Sequence, residues 1–272
     1  MLTEIFFQQD TIPAPFASDE RIFLGEGLFE TLYVDDSKPC YPKQHWQRLN
    51  KAASFLAIPF TIPLELWIEK LKQFISLSKL SNGGIKIILG SGKASRGLAE
   101  QSKNSQLLFH AFHYVKNMKP LKLESATWLR DGKNPIYQLK SVNYLEAIIA
   151  RRQAQSADDV LFFNVQNQAT DTTIANIFII KSNQLFTPSL SCGVLAGIIR
   201  ERLLIVAKEQ GIDCVETDLT KDDLLQADAA FTSNSLQGIR QIASWNHHIF
   251  TINHPLIALL EELLINDRYR YH

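Results

Sequence analysis

The segment "LKSVNYLEAIIARRQA", residues 139–154, contains a lysine whose role decides how the whole chain is interpreted. Lys140 lies between apolar residues, just before a periodic pattern that predicts a helix. A lysine at a helix entrance commonly extends its ammonium into water over an apolar stem. Its amine becomes a nucleophile only when it is partly neutral, and apolar neighbours favour that form by desolvation. From these residues alone, both roles are open for Lys140.

The composition of the chain is that of a globular protein. Of its 272 residues 46% are hydrophobic, and 28 basic residues balance 28 acidic ones. The basic residues do not cluster, so neither nucleic acid nor an anionic membrane surface is expected as a partner. No apolar run approaches the roughly 20 residues that span a bilayer, and we expect no signal peptide.

The cysteines and histidines favour reduced thiols over a disulfide framework or a metal site. The three cysteines are far apart, at positions 40, 192 and 214, which suits a cytoplasmic protein. The seven histidines lack the spacing typical of zinc ligands. We therefore expect a cytoplasmic location and no metal.

Helical and strand patterns alternate along the chain, which predicts a mixed α/β fold. An amphipathic pattern follows Thr61, which is predicted to cap that helix. The stretch "YVKNMKPLK" interrupts the apolar patterns with Lys, Asn and Pro. We therefore predict an N-terminal α/β domain of residues 1–116, a linker of about residues 117–120, and a C-terminal α/β domain of residues 121–272.

Four further segments carry groups that can bind an ion. Arg48 in "HWQRL" is either a surface salt-bridge partner or a bidentate phosphate ligand. Gly197 in "VLAGIIRERL" precedes a predicted helix whose first amides can bind a phosphate. Ser235 in "SNSL" suits a turn or a phosphate contact. Asp171 in "NQATDTTIANIF" is either a turn residue or a buried acid that holds a cationic ring nitrogen.

In their order along the chain, these segments resemble the fold type IV enzymes that use pyridoxal 5'-phosphate (PLP). The matching segments are "FLGEGLFETLYV", "HWQRL", "LKSVNYLEAIIARRQA", "TDTTIANIF", "LFTPSLSCGVLAGIIRERL" and "TSNSLQGIRQI". The family includes branched-chain aminotransferases, D-amino-acid aminotransferases and 4-amino-4-deoxychorismate lyases. The resemblance implies two α/β domains with PLP in the cleft between them, and a homodimer.

The resemblance also implies a role for each matching residue. Lys140 corresponds to the lysine that forms a Schiff base with PLP, and Arg48 to the arginine that binds its phosphate. The backbone amides of Ile198 and Ile199 correspond to those that contact the phosphate. Ser235 aligns with a hydroxyl residue that also touches it.

Two further positions complete the implied cofactor site. The family has a glutamate that keeps the pyridine nitrogen protonated, which makes PLP a stronger electron sink. This chain has Asp171 there, which keeps the charge but is shorter by one methylene, roughly 1.5 Å. Either the backbone is closer to the ring, or the contact is looser or bridged by water. Phe29 corresponds to a wall of the cofactor pocket, and as a bare residue it suits a core equally well.

The peripheral segments favour a lyase over an aminotransferase. Asn234 lies in "TSNSLQGIRQI", which is similar to a segment of many of the lyases, whereas the aminotransferases have Gly-Thr-Ala or Ser-Thr-Thr there. Arg96 in "SRGL" resembles an arginine of a lyase-like loop and is otherwise a solvated loop residue. Leu98 stands where D-amino-acid aminotransferases have a histidine. Ser91 stands where the lyases often have another arginine.

We therefore expect a PLP-dependent 4-amino-4-deoxychorismate lyase, which releases pyruvate and forms 4-aminobenzoate for folate synthesis. Lys140 is its expected catalytic residue, and Phe29, Arg96 and Asn234 are its expected substrate-binding residues. A class IV amino-acid aminotransferase, of branched-chain or D-amino-acid type, is the alternative, because the same lysine serves both reactions. A chain that only binds PLP or a partner is a third interpretation.

Overall fold

The computed structural model describes residues 3–7, 21–94 and 97–269. These residues divide into two compact units. The first contains the described residues up to Val115 together with Leu139–Asn143, and the second contains Lys116–Gln138 and the described residues from Tyr144 onward. The assignment of residues 1–116 and 121–272 as two domains stays a prediction.

The first unit is a five-stranded sheet with two helices. Its elements are β1 (Thr3–Phe7), β2 (Gly27–Asp35), β3 (Lys38–Pro39), α1 (Pro42–Phe55), α2 (Leu64–Ser78), β4 (Gly83–Gly90) and β5 (Ser105–Phe112). The strands lie in the order β1-β5-β4-β2-β3. β1 pairs with β5 in parallel, and the other neighbours are antiparallel.

The predicted cap of α2 is wrong. Pro63 occupies the N-cap position and no side chain caps the helix. The hydroxyl of Thr61 lies instead 3.3 Å from the hydroxyl of Thr3 in β1. This contact ties the chain before α2 to the edge of the sheet, so the tertiary packing overrides the local capping signal.

The alternation of side chains along β2 separates the core of the first unit from the opposite face of the sheet. The core is formed by apolar residues of β2, α1 and α2, among them Leu28, Leu32, Val34, Leu49 and Trp67. Adjacent residues of a strand point to opposite faces. Glu30 therefore points towards α1 on the core side, and Phe29 lies on the other face.

The segment that carries Lys140 pairs with the first residues of β2. The Phe29 amide donates to the Lys140 carbonyl at 2.8 Å, and the Val142 amide donates to the Gly27 carbonyl at 3.0 Å. β3 covers only the last two residues of β2, so the beginning of this edge is open to another segment. The structure thus groups residues 139–143 with the first unit, whereas the predicted boundary placed them with the later residues.

A close contact between Gly25 and Asn143 completes this pairing. Asn143 Nδ2 donates to the Gly25 carbonyl at 2.9 Å. Gly25 has a φ of +87°, and a Cβ added there would overlap the Asn143 side chain. Glycine is therefore required both by the backbone conformation and by the neighbour.

The second unit is built on a nine-stranded sheet. Its elements are β6 (Leu121–Arg130), α3 (Leu145–Gln153), β7 (Asp159–Asn164), β8 (Ala169–Thr172), β9 (Asn176–Lys181), β10 (Gln184–Pro188), α4 (Ile198–Glu209), β11 (Cys214–Thr217), α5 (Lys221–Leu225), β12 (Ala229–Asn234), β13 (Gly238–Trp245), β14 (His248–Ile249) and α6 (Pro255–Tyr269). The strand order is β11-β10-β9-β12-β13-β6-β7-β8, with β14 beside β13.

The central strands of this sheet form a closed circuit. β8 also pairs with β9, through Asp171 and Asn176, so the path β9-β12-β13-β6-β7-β8 returns to β9. β7 and β9 read "DVLFFN" and "NIFIIK", and such continuous apolar runs are typical of strands buried on both faces. Both units combine helices with a β-sheet, which confirms the predicted α/β fold class. Within the described part of the chain, no helix has both the length and the apolar character needed to cross a bilayer.

We predict that Gly25→Ala destabilises the protein by roughly 1 to 3 kcal/mol more than Gly211→Ala. Both glycines have positive φ, but a Cβ added to Gly211 would have no atom of the described residues within 4 Å, so its variant is expected to carry backbone strain alone. The free energy of unfolding in urea measures the difference. Equal destabilisation of the two variants would show that the contact with Asn143 contributes nothing.

Candidate active site

Lys140 lies against the ring of Phe29. Its Nζ is 4.4 Å from the ring centre, and the Nζ of Lys86 on β4 is 4.9 Å from the same centre. An aromatic face attracts an ammonium group electrostatically. Lys140 pairs opposite Phe29, so their side chains share one face of the sheet. The structure therefore brings together two of the predicted site residues, of which Phe29 is buried and Lys140 is half-buried.

The next residue of β2, Glu30, binds Arg48 on α1. Arg48 Nε donates to Glu30 Oε1 at 2.8 Å, and Arg48 Nη2 donates to Oε2 at 2.5 Å. His45 Nδ1 lies 2.6 Å from Oε2 of the same carboxylate. Burial alone would raise the pKa of Glu30, but Arg48 and His45 outweigh it and hold the pKa at about 2. Glu30 is therefore ionised at neutral pH. It binds Nε and Nη2 of Arg48, the residue predicted to bind the phosphate.

Asp171, in the second unit, accepts hydrogen bonds at both oxygens. The Leu195 amide donates to Oδ2 at 2.8 Å, and Asn176 Nδ2 donates to Oδ1 at 2.8 Å. Burial raises the pKa of Asp171 to about 6, although the Leu195 amide and the charge of Arg130 act in the opposite direction. The group is poised between acid and carboxylate near neutral pH, so a cation beside it would favour the carboxylate.

Asn176 links Asp171 to the start of α4. Its Nδ2 also donates to the Leu195 carbonyl, at 2.9 Å. Gly197 is the N-cap of α4, and a Cβ added there would overlap Asn176 Oδ1. Ile198 opens the helix, where backbone amides lack intrahelical partners and attract anions. One unit therefore contains both a buried acid and the helix start that the sequence predicts to bind a phosphate. Asn176 joins them, a role that the sequence did not reveal.

The predicted residues Asn234 and Ser235 lie where β12 ends: Asn234 is its last residue, and Ser235 begins the turn that follows. Asn234 Oδ1 accepts hydrogen bonds from the amides of Leu236, at 3.1 Å, and Gln237, at 2.8 Å. This side-chain oxygen therefore shapes a turn. Ser233, one residue earlier, pairs opposite Asn176 and has a buried hydroxyl without a hydrogen-bond partner among the described residues.

The predicted substrate loop is only partly described. Arg96 lies outside the described residues. Ser91 is fully buried, and its hydroxyl has no hydrogen-bond partner in the described part of the chain. Arg21 donates to the carbonyls of Gly97, at 2.8 Å, and Glu100, at 2.6 Å. Arg21 thus holds the second half of this loop in place. The contact with Gly97 joins residues 76 positions apart, and no sequence pattern predicts it.

The chain as a whole matches a known family. Residues 27–245 fit the sequence profile described as amino-transferase class IV. The chain belongs to the class IV aminotransferase family. This membership confirms the resemblance inferred from the order of the sequence motifs. Among the residues that the structure describes, no cluster of three or more His, Cys, Asp or Glu side chains is arranged to hold a metal ion.

Members and structural relatives of the class IV family include both lyases and aminotransferases. A Legionella pneumophila protein, provisionally named a 4-amino-4-deoxychorismate lyase, is 50% identical with a TM-score of 0.95, over 98% of this chain and 100% of its own. An aminodeoxychorismate lyase of Vibrio harveyi is 27% identical, over 90% of this chain and 92% of its own. The branched-chain aminotransferase of Escherichia coli shares the fold, with 21% identity and a TM-score of 0.84 over 93% and 88% of the two chains.

The raised pKa of Asp171 predicts a pH-dependent stability of the cofactor-free protein. The folded state binds the proton of this group more tightly than the unfolded chain, whose pKa is near the ordinary 3.8. The stabilising contribution is therefore complete below about pH 4 and is lost as the pH rises through about 6. Relative to Asp171→Asn, the wild type should lose roughly 2 to 3 kcal/mol of unfolding free energy between pH 4 and pH 7. The prediction is wrong if the unfolding free energies of the wild type and of Asp171→Asn, measured in urea, change equally between pH 4 and pH 7.

Proposed function

We propose that this protein is a PLP-dependent 4-amino-4-deoxychorismate lyase, which forms 4-aminobenzoate and pyruvate in folate synthesis. The observation that carries the proposal is the 50% identity, over essentially the whole chain, with the Legionella pneumophila protein provisionally given that name. The Vibrio harveyi lyase, matched over nine-tenths of both chains, supports the same activity.

The residues of the two units have the chemistry that PLP requires. Lys140 offers an amine to the aldehyde, and Arg48 offers a guanidinium, held by a buried carboxylate, to the phosphate. The start of α4 at Ile198 and Ile199 offers backbone amides to the phosphate. Asp171 offers a buried carboxyl group with a pKa of about 6 to the pyridine nitrogen. These donors and acceptors fit the cofactor, and Ser235 supplies a further hydroxyl for the phosphate.

When bound, PLP supplies an electron sink for the bonds of the carbon that carries the substrate's amino group. Lys140 would hold the cofactor through its Nζ, and the same Nζ, once free, would take the proton from that carbon. Asp171, as a carboxylate, keeps the ring nitrogen protonated, and Asn176 and the Leu195 amide hold that carboxylate in place. The overall lyase reaction would break the bond between the substrate ring and the enolpyruvyl oxygen. The released enolpyruvate would take up a proton to become pyruvate, and the ring would become aromatic as 4-aminobenzoate.

A class IV amino-acid aminotransferase is the second candidate. The shared fold with the Escherichia coli branched-chain aminotransferase favours it, because Lys140 would serve both reactions with the same proton transfer. Leu98, which stands where the D-amino-acid enzymes have a histidine, is 84% exposed and offers no group that binds a carboxylate. Phe29, Arg96 and Asn234 are the residues that we propose to contact the substrate.

We predict that the purified protein, supplied with PLP and aminodeoxychorismate, releases pyruvate and 4-aminobenzoate in equal amounts. Lys140→Ala should lose roughly 10²- to 10⁴-fold in rate, because the group that moves the proton is gone. It should also lose the PLP adduct that borohydride reduction fixes on the wild-type chain, as measured by protein mass. Exchange of amino acids with 2-oxoglutarate, without formation of 4-aminobenzoate, would overturn the lyase in favour of the aminotransferase.

We also propose that the protein is a homodimer in the cytoplasm. α3 exposes Leu145, Ile148 and Ile149, an apolar face that a second copy would cover. Light scattering is expected to give twice the 30.9 kDa of one chain. Ile148→Glu should lower this mass, whereas Arg152→Glu on the same helix serves as a control for added charge. A wild-type mass of one chain at micromolar concentration would contradict the dimer.

A further inference from the structure

We infer that Glu30 is a positioning residue for the cofactor's phosphate, that it acts through Arg48, and that His45 holds Glu30 in place. The inference rests on the proposed function in one respect only, namely that PLP is the ligand. The sequence motifs assign Arg48 to the phosphate but assign no task to the carboxylate and the imidazole that surround it.

The backbone and burial of Glu30 fix where its carboxylate lies. Glu30 pairs with Ile87 in the middle of the β2–β4 ladder, so its Cα cannot shift without breaking the sheet. The residue is 1% exposed, and water therefore cannot replace its partners. A carboxylate buried in this way must keep its hydrogen bonds, because an unpaired charge in this position is strongly unfavourable.

The fixed carboxylate in turn orients the guanidinium. Arg48 reaches Glu30 with Nε and Nη2, two of the five N–H donors of a planar group, so the plane and the direction of its remaining edge are set. An arginine otherwise loses considerable rotamer freedom when it binds a phosphate. Glu30 removes most of that freedom before the ligand arrives, which favours binding.

The negative charge of Glu30 also opposes phosphate binding. A carboxylate near the phosphate repels it, so Glu30→Gln would strengthen phosphate binding if electrostatic repulsion outweighed orientation. The repulsion would act across the guanidinium of Arg48, whereas the orientation acts through direct hydrogen bonds between Arg48 and Glu30. Orientation is therefore expected to dominate, and the sign of the measured effect decides between the two.

His45 allows a test in which the Glu30–Arg48 charges are unchanged. Burial lowers the pKa of His45 below its ordinary value, although Glu30 acts in the opposite direction. The imidazole is thus neutral near pH 7, and its Nδ1–H donates to Glu30. Its Nε2 is buried and has no hydrogen-bond partner among the residues described. Only the Nδ1 side is used to hold Glu30, so an asparagine, whose amide nitrogen replaces Nδ1, should substitute for His45 where a leucine cannot.

The experiment compares the dissociation constants of PLP and of pyridoxal, which lacks the phosphate, for the full-length protein without substrate. The readout is the ratio of the two constants, measured from the absorbance of the bound ligand. We expect Glu30→Gln and His45→Leu to lower the preference for PLP about tenfold and to leave pyridoxal binding within about twofold. We expect His45→Asn to keep the wild-type ratio.

Arg48→Gln supplies the matched reference. It should abolish most of the preference for PLP, and adding Glu30→Gln to it should lower the preference no further, because the carboxylate acts only through the guanidinium. Thermal unfolding identifies a variant that has lost its fold. If Glu30→Gln has lost its fold, the comparison of His45→Leu with His45→Asn tests the inference instead.

The possible outcomes separate the two proposals. A wild-type protein that does not prefer PLP to pyridoxal would overturn the proposed cofactor together with this inference. A wild-type preference that Glu30→Gln and His45→Leu leave unchanged, or that Glu30→Gln increases, would overturn the inference alone. A general loss of affinity for both ligands would show that the three side chains stabilise the fold and do not position the phosphate ligand.

Discussion

The hydrogen bonding of β2 on both of its edges is the constraint on which the predicted site residues of the first unit depend. One edge pairs with β4, and the beginning of the other edge pairs with residues 140–142. The strand is therefore rigid where Phe29 and Glu30 follow one another, with side chains on opposite faces. Phe29 lies beside the amine of Lys140, and Glu30 holds the guanidinium of Arg48. Two adjacent residues of one strand thus contact different groups, the amine of Lys140 and the guanidinium of Arg48.

In the second unit, strand pairing likewise fixes the position of a predicted site residue, where β8 pairs with β9 and completes the closed path of strands. The pairing between β8 and β9 joins Asp171 to Asn176, and Asn176 also holds the loop that leads into α4. Asp171 and the segment that leads into α4 are therefore parts of one hydrogen-bonded arrangement. Because both oxygens of Asp171 already accept a hydrogen bond, the short side chain is fixed in direction even though it lacks the methylene of the family's glutamate.

The loop that the sequence predicts to bind the substrate departs from the expected family pattern at Ser91. Ser91 places a small, buried hydroxyl where related lyases often have an arginine, and nothing in the described residues satisfies that hydroxyl. Arg21 instead anchors the later part of the same loop through its carbonyl groups. The shape of this loop therefore depends on an arginine far away in the sequence, which supports the backbone and contributes no charge at position 91.

The sequence by itself determined the mixed α/β fold class, the start of α4 at Gly197 and, through the order of its motifs, the family. It also predicted the roles of Lys140 and Arg48. These features depend on local periodicity, on backbone conformation and on short motifs, all of which a linear pattern records. Only the tertiary structure decided that Glu30 binds Arg48 and His45, which are 18 and 15 residues away on a helix packed against the sheet. It also decided that residues 139–143 belong with the first unit and that Thr61 contacts Thr3 instead of capping α2. Such contacts depend on which edges and faces meet when the chain folds, and no spacing within a single segment encodes that geometry.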